Sequence, residues 1–346
     1  MPEYKIGVVG ATGYAGAELV RLLIHHPEVN LEVITSRSYA GEAYSSVQPQ
    51  FEGLVDMELQ PVERISDYDL DLVFLALPHG VSMNFIKEFG TEQFRIIDLS
   101  GDFRLNSAES YEKWYEMEHN APAAIDKAAF GLPELFRSEI RNAQLVANPG
   151  CYPSAAIFPL APFLKSDLIE TTPLTVDAKS GVTGAGASVS KKTHFPEVFG
   201  NFSAYGLDDH RHTPEMEQAL QRFTGSKRPQ ILFTPHLLPI DRGILATVYA
   251  TPKKAVNEEL LHETAVRFYG KEHFIRVLET PPKVKYVRGS NFCDLYVTYN
   301  ERTNRVIAVS AIDNLMKGAA GQAVQNMNIM LGFIERAGLQ ITPLSP

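Results

Sequence analysis

Cysteine and tryptophan are scarce in this chain of 346 residues, which has two of the first and one of the second. Two cysteines without a framework spacing exclude a disulfide scaffold and point to a reducing compartment, the cytoplasm. Long apolar runs are missing as well. No window approaches the roughly eighteen uninterrupted apolar residues of a membrane span. The start, Met1-Pro2-Glu3-Tyr4-Lys5, has no charged stretch leading into an apolar one, so no secretory signal is expected. Positive charge is in deficit: 32 Lys and Arg against 41 Asp and Glu leave a formal net charge of -9. That balance argues against nucleic acid or an anionic membrane as partner. An anionic small molecule must then be met by a local positive pocket. No internal repeat or low-complexity tract is present. What remains, 45% hydrophobic and 21% charged residues, is a globular composition long enough for two cores.

The first such core starts with Lys5-Ile6-Gly7-Val8-Val9-Gly10, an apolar run of the kind buried on both faces of a parallel sheet. Gly10-Ala11-Thr12-Gly13-Tyr14-Ala15-Gly16 follows, then a helical stretch with Leu19, Leu22 and Leu23 on one face. Strand, glycine turn and helix are the context a dinucleotide fingerprint requires. Gly10 suits a tight turn, Gly13 lets backbone N–H groups approach a pyrophosphate, and Gly16 allows close helix packing. The second strand ends in Ser36-Arg37-Ser38, where an NAD site usually carries an acidic residue. Hydroxyls and a guanidinium suit a 2′-phosphate instead, so NADP is the expected cofactor. Further strands end in Pro78-His79-Gly80 and in Ser100-Gly101-Asp102-Phe103-Arg104. Ligands gather at such carboxyl ends, which makes Pro78 a candidate cofactor contact and Arg104 a candidate phosphate grip. The stretch 105–143 reads as helical and irregular cover.

Asn148-Pro149-Gly150-Cys151-Tyr152-Pro153 carries the chemistry. A short apolar strand precedes it and a helix follows, with Pro153 in a first turn where a missing N–H is harmless. A thiol at the positive end of a helix dipole is biased toward thiolate, the nucleophilic form. Cys151 is the candidate nucleophile, with Ser154 beside it facing substrate. Cys293, at a strand start without such an elbow, reads as core.

From about residue 166, strands rich in β-branched residues alternate with helices (Thr171–Lys179, Gln230–Pro235, Gly243–Ala250, Asp294–Tyr299). This predicts an α+β domain with an open mixed or antiparallel sheet. Ser180 and Gly181 open a glycine-rich bend expected to line the cofactor, and Lys191 and His194 supply positive charge for a phosphate. In His210-Arg211-His212-Thr213-Pro214-Glu215, Thr213 is the expected N-cap and Pro214 the first helical residue. An extended lead-in would point His210 and His212 the same way. His210 is the candidate acid/base, to act as imidazolium, with His212 on the substrate and Glu215 orienting an imidazole. Further metal ligands at suitable spacing are lacking, so no metal is expected. His236 and Arg242 fall in a proline-bounded connection. A slim helix, Leu315 to about Glu335, is expected to return to the dinucleotide domain with Asn314 near the nicotinamide. The expected domains are therefore 1–150 with 314–346, a Rossmann-type doubly wound parallel sheet, and 151–313, carrying substrate and subunit contacts.

With these motifs placed, the chain resembles the N-acetyl-γ-glutamyl-phosphate reductases of the semialdehyde dehydrogenase superfamily over essentially its full length. The resemblance rests on the Gly10–Gly16 turn, Ser36-Arg37-Ser38, Asp98–Arg104, Asn148–Pro153 and His210–Glu215. It implies NADP dependence, a place in arginine biosynthesis in the cytoplasm, Cys151 as nucleophile on a small acyl phosphate, and a homo-oligomer, tetramer or dimer. An aminoadipyl-phosphate reductase of lysine biosynthesis is the near alternative. An aspartate-semialdehyde dehydrogenase and a non-catalytic NADP sensor are more distant ones.

Overall fold

The computed structural model describes residues 4–345. It divides into two compact units. One runs to Pro149 and takes in Ala319–Gln340, and the other holds Gly150–Gly318 with 341–346. The returning segment is thus shared between them, its helical core belonging to the first.

The first unit is built on six parallel strands: β1 (Tyr4–Val9), β2 (Val29–Thr35), β3 (Leu72–Leu75), β4 (Arg95–Asp98), β5 (Ala128–Phe130) and β6 (Leu145–Ala147). Their order is β2-β1-β3-β4-β6-β5. Successive side chains on a strand face opposite ways, and Val73, Phe74 and Leu75 are all fully buried, so both faces of the sheet are covered. The chain leaves β1 toward β2 on one side and reaches β3 on the other, which puts the topological switch at the carboxyl ends of β1 and β3. Strand β5, in a stretch read as irregular cover, is a three-residue edge too short to show a period.

Helix Gly321–Leu331 returns to this unit and lies against the helices Tyr14–Leu23 and Pro133–Asn142. It is shorter than expected, because Gly332 turns left-handed and ends it. Its amides are buried alongside its apolar residues: Gln322, Gln325, Asn326 and Asn328 are fully enclosed, as are Val324 and Met327. Asn326 donates to Gly131 O and Asn148 Oδ1, and Asn328 to Glu335 O and Ala337 O.

The second unit is a mixed sheet of β7 (Leu174–Gly181), β8 (Ser203–Ala204), β9 (Ile231–Leu238), β10 (Ile244–Ala250), β11 (Ile275–Val277), β12 (Cys293–Asn300) and β13 (Arg305–Ile312). The order is β11-β12-β13-β10-β7-β9-β8, with β7/β9 and β11/β12 parallel and the rest antiparallel. His236 lies inside β9, not in a connection after it. Helix Cys151–Lys165 runs across β10, β12 and β13 and is buried from Tyr152 to Leu164. It carries Pro159 and Pro162 internally, each of which removes a backbone donor. The sheet and a neighbouring helix supply substitutes. Ser310 Oγ donates to Ala155 O at 2.5 Å, and Tyr269 Oη to Phe158 O at 2.8 Å. Those are the two carbonyls the prolines leave open.

Candidate active site

In the first unit the glycine turn is held at the switch point. Gly10 N and Ala11 N donate to Thr35 O at the end of β2. Gly10 sits at φ +88, and a Cβ there would come within 2.5 Å of Ala76 O, so only glycine fits. A Cβ on Gly16 would collide with Gly10 O, which is why helix Tyr14–Leu23 can press against the turn. Around Gly13, by contrast, a Cβ would meet nothing within 4 Å. Gly13 is the N-cap, and no side chain caps the helix. Open space before uncapped N–H groups is what an anionic phosphate requires. Thr12 Oγ1 and Ser36 Oγ lie 3.3 Å apart, joining the turn to the end of β2, and Arg37 and Ser38 are exposed beyond it. These residues fit a dinucleotide. Tyr44 and Gln48, missed in the sequence, hold the turn from outside: Tyr44 Oη donates to Ala11 O and Gln48 Nε2 to Thr12 O.

Pro78 is exposed in the loop after β3. That loop is fastened to the one after β4 by Asp102, whose buried carboxylate accepts from Gly80 N, Met83 N and Tyr111 Oη. His79 Nδ1 accepts from Gly101 N at 2.8 Å. Arg104 is the expected phosphate grip. It is buried, with Nε on Asn148 O and one Nη on Leu99 O, both at 2.7 Å, and so braces strand ends.

In the second unit Cys151 is the first residue of its helix and half-buried; Gly150 is the N-cap and no side chain caps it. Glu215 reaches back to this elbow: Gly150 N donates to Glu215 Oε1 at 2.7 Å. Glu215, expected to orient an imidazole, thus holds the elbow's backbone. Ser154 is fully buried and donates to Gly150 O, which turns its hydroxyl into its own helix, away from the expected substrate role.

Helix His212–Gln221 begins at His212 with Arg211 at the cap, not at Thr213 and Pro214 as read from the sequence. Arg211 is helical in φ and ψ, and Thr213 N donates to His210 O, so the lead-in is a turn and not extended. The two imidazoles still meet, 4.9 Å between centroids. Both rings edge onto Tyr152, at 5.7 and 6.0 Å, and His210 also onto Phe233. Burial, with the Arg211 charge adding to it, pushes the His210 imidazole down to about 4, so it is neutral at pH 7 and not the expected imidazolium. His212 N donates to His210 Nδ1 at 3.2 Å, which leaves the neutral ring's proton on Nε2.

The remaining candidates divide. Ser180 is buried, with its hydroxyl on Gly181 O. Gly181 would strike Asp241 O with a Cβ. Asn314 accepts from Gly243 N and donates to Thr183 Oγ1, knitting three connections of the unit together. Lys191 and His194 lie in exposed short turns between β7 and β8. One neighbour escaped the sequence reading. A Cβ on Gly318 would stand 2.8 Å from Cys151 Cβ. Gly318 belongs to a π-turn, Met316–Ala320, anchored where Asp313 Oδ1 accepts from Leu315 N and Met316 N.

Two family models match: "Semialdehyde dehydrogenase, NAD binding domain" over residues 5–143 and "Semialdehyde dehydrogenase, dimerisation domain" over 151–314. Among curated relatives, N-acetyl-gamma-glutamyl-phosphate reductase of Clostridium novyi is 47% identical over 97% of this chain and 98% of its own. That of Desulforamulus reducens is 49% identical over 99% of both. The Bacillus subtilis protein of the same name is 46% identical over 99% of this chain and 100% of its own. Solved structures share the fold. Aspartate semialdehyde dehydrogenase II from Vibrio cholerae superposes with a TM-score of 0.74 at 17% identity, covering 95% of this chain and 98% of that one. Aspartate semialdehyde dehydrogenase with NADP from Candida albicans gives 0.70 at 16% identity, over 97% and 99%.

Proposed function

The chain belongs to the N-acetyl-γ-glutamyl-phosphate reductases of the semialdehyde dehydrogenase superfamily, and from that membership we propose that it reduces N-acetyl-γ-glutamyl phosphate to N-acetylglutamate 5-semialdehyde with NADPH. The step lies in arginine biosynthesis and we assign it to the cytoplasm. One observation carries the chemistry: a half-buried thiol on the first residue of a helix with no side-chain cap, in the segment that two imidazoles flank.

Cys151 attacks the acyl phosphate carbon. The C–S bond forms, the C–O bond to phosphate breaks, and a thioester is left. NADPH, when bound by the Gly10–Gly16 turn with Thr12, Ser36 and Arg37, supplies the hydride that reduces this thioester. His210 offers Nε2–H to the developing oxyanion as a neutral donor, and when that oxyanion re-forms a carbonyl the C–S bond breaks, releasing the aldehyde and returning the Cys151 thiolate. The other nitrogen of His210 already accepts a backbone N–H, so taking the thiol's proton falls to the imidazole beside it, His212. Glu215 holds Gly150, and through it the start of the nucleophile's helix. With Arg104 committed to main-chain carbonyls, the substrate phosphate is left to backbone N–H groups and the exposed Lys191 and His194.

We further assign subunit contacts to the bare face of the seven-stranded sheet. Helices cover one side, and along β7 and β10 buried residues alternate with half-exposed ones that face the other. Leu232, Leu245, Tyr249, Ile307 and Val309 are among the residues turned outward, a surface that suits a second copy.

The test is the reverse reaction. N-acetylglutamate semialdehyde, phosphate and NADP should yield reduced cofactor by absorbance. Omitting phosphate should stop it, because phosphate must release the thioester. A rate independent of phosphate sinks the proposal, and a preference for aminoadipate semialdehyde reassigns the substrate.

A further inference from the structure

We propose that Tyr205 is a positioning residue of this reaction, its phenol hydroxyl fixing Tyr152 and with it the setting of the Cys151 sulfur. The inference rests on Cys151 being the nucleophile.

Tyr205 follows β8 on a strap whose other large residues turn outward: Phe195, Phe199 and Phe202 are 70%, 71% and 55% exposed. Tyr205, 36% exposed, is more covered than these three, and its hydroxyl reaches Tyr152 Oη. Its N–H donates to Pro235 O, and the preceding Ala204 pairs with His236 across the sheet edge. Both ties set the ring's height over the site. The ring stands 5.6 Å from that of His210.

Direction follows from counting protons. A phenol has one to give. Tyr152 Oη gives its own to His236 O at 3.0 Å, so at 3.1 Å Tyr205 Oη must be the donor and Tyr152 Oη the acceptor. The relay therefore runs from Tyr205 through Tyr152 to a backbone carbonyl of β9. Tyr152 is peptide-bonded to Cys151 and buried in the first turn of its helix, so whatever fixes its ring also fixes that turn. Both phenols lie within electrostatic reach of the sulfur. Burial raises both, and charge on Cys151 raises them further, Tyr205 to about 12. Tyr205 thus keeps its proton, and its donor role, over the working range of pH.

Tyr205→Phe keeps the ring and removes only the donor. Steady-state rates and the pH dependence of Cys151 alkylation by iodoacetamide are to be measured on the full-length enzyme. The expected result is a kcat lower by roughly fivefold to tenfold with KM for NADPH nearly unchanged, the scale of one lost hydrogen bond beside a reacting group. The midpoint of alkylation against pH should rise with it. Tyr299→Phe, which loses a hydroxyl that donates to Asn304 Oδ1 at the far end of β12, should match the unaltered enzyme. An unaltered rate and alkylation profile in Tyr205→Phe overturns the assignment, and so does a lowered kcat with an unmoved profile. A Cys151 that resists alkylation in the unaltered enzyme overturns the nucleophile itself.

Discussion

At the scale of single residues the site depends on a histidine that does not charge. The His210 imidazole, ordinarily near 6.5, is pushed down to about 4 by burial first and by the Arg211 charge second. In the window between those values the unfolded chain holds a proton on this residue that the folded chain does not. Stability therefore rises with pH across the window and is lost as pH falls from 6.5 toward 4. The full shift corresponds to at most about 3 kcal/mol. Asp98 acts the other way. Burial first, and the neighbouring Asp102 second, push its carboxyl up to about 6, so its contribution falls as pH rises from 3.8 to 6. A pH series on the wild type alone mixes the two. The difference between wild type and His210→Gln isolates the histidine: urea midpoints should converge as pH drops from 7 to 4.5, and parallel curves would refute the shift. The nucleophile gives a second prediction. Cys151→Ser should lower kcat by at least about a thousandfold, an alkoxide being far harder to form than a thiolate. NADPH binding by fluorescence titration should stay within twofold, because the glycine turn makes no use of the sulfur. Loss of cofactor affinity in that variant would contradict the division of labour.

At the scale of elements the π-turn Met316–Ala320 is the device that most constrains the nucleophile. Gly318 leaves no room for a methyl group: a Cβ would stand 2.8 Å from Cys151 Cβ and 3.2 Å from its Cα. Gly318→Ala should thus displace the start of the catalytic helix by a few tenths of an ångström, and near-attack geometry tolerates little of that. We expect kcat to fall by roughly tenfold to a hundredfold, with the urea midpoint moving far less. An alanine enzyme at full rate would mean the turn has slack. This contact also shows what could be read without coordinates. The small-residue run Gly318-Ala319-Ala320-Gly321 was visibly slim, but what it lies against is set by a crossing between segments some 170 residues apart, and no local pattern records that. The Gly10–Gly16 turn and the Cys151 elbow were legible because each is a strand-to-helix turn whose constraints are written in adjacent residues. Thr213 failed as a cap because the turn at Arg211 starts the helix two residues early, and propensity at a cap is a weak prior against a tertiary turn. Arg104 shows where such a reading stops, because a guanidinium after a strand suits carbonyls as well as phosphate, and only the fold shows that it braces Asn148 O and Leu99 O. Strand β5 was too short to announce itself, and the bonds that rescue Pro159 and Pro162 come from Ser310 and Tyr269, distant in sequence.

At the scale of the molecule the question is what covers the open face of the seven-stranded sheet. A sheet solvated on one side normally alternates apolar and polar residues, with the polar ones outward. Here the outward positions include Leu245 and Tyr249 on β10 and Ile307 and Val309 on β13, two strands paired in the middle of the sheet. β-branched and aromatic residues side by side across an antiparallel pair stabilise a face best when water is removed from it. At a net charge of -9 random association is disfavoured, so any copy that docks must gain from shape and apolar area. A charge placed in the centre of such a contact would be buried against its own symmetry mate, since a two-fold interface presents each residue to the same patch. Val309→Glu should then convert the oligomer to single chains at micromolar concentration in sedimentation velocity. The isolated chains should keep their far-ultraviolet circular dichroism, because Val309 faces away from the helices that pack the other side. Unchanged sedimentation in that variant would remove this face from the interface and leave its apolar residues to another partner.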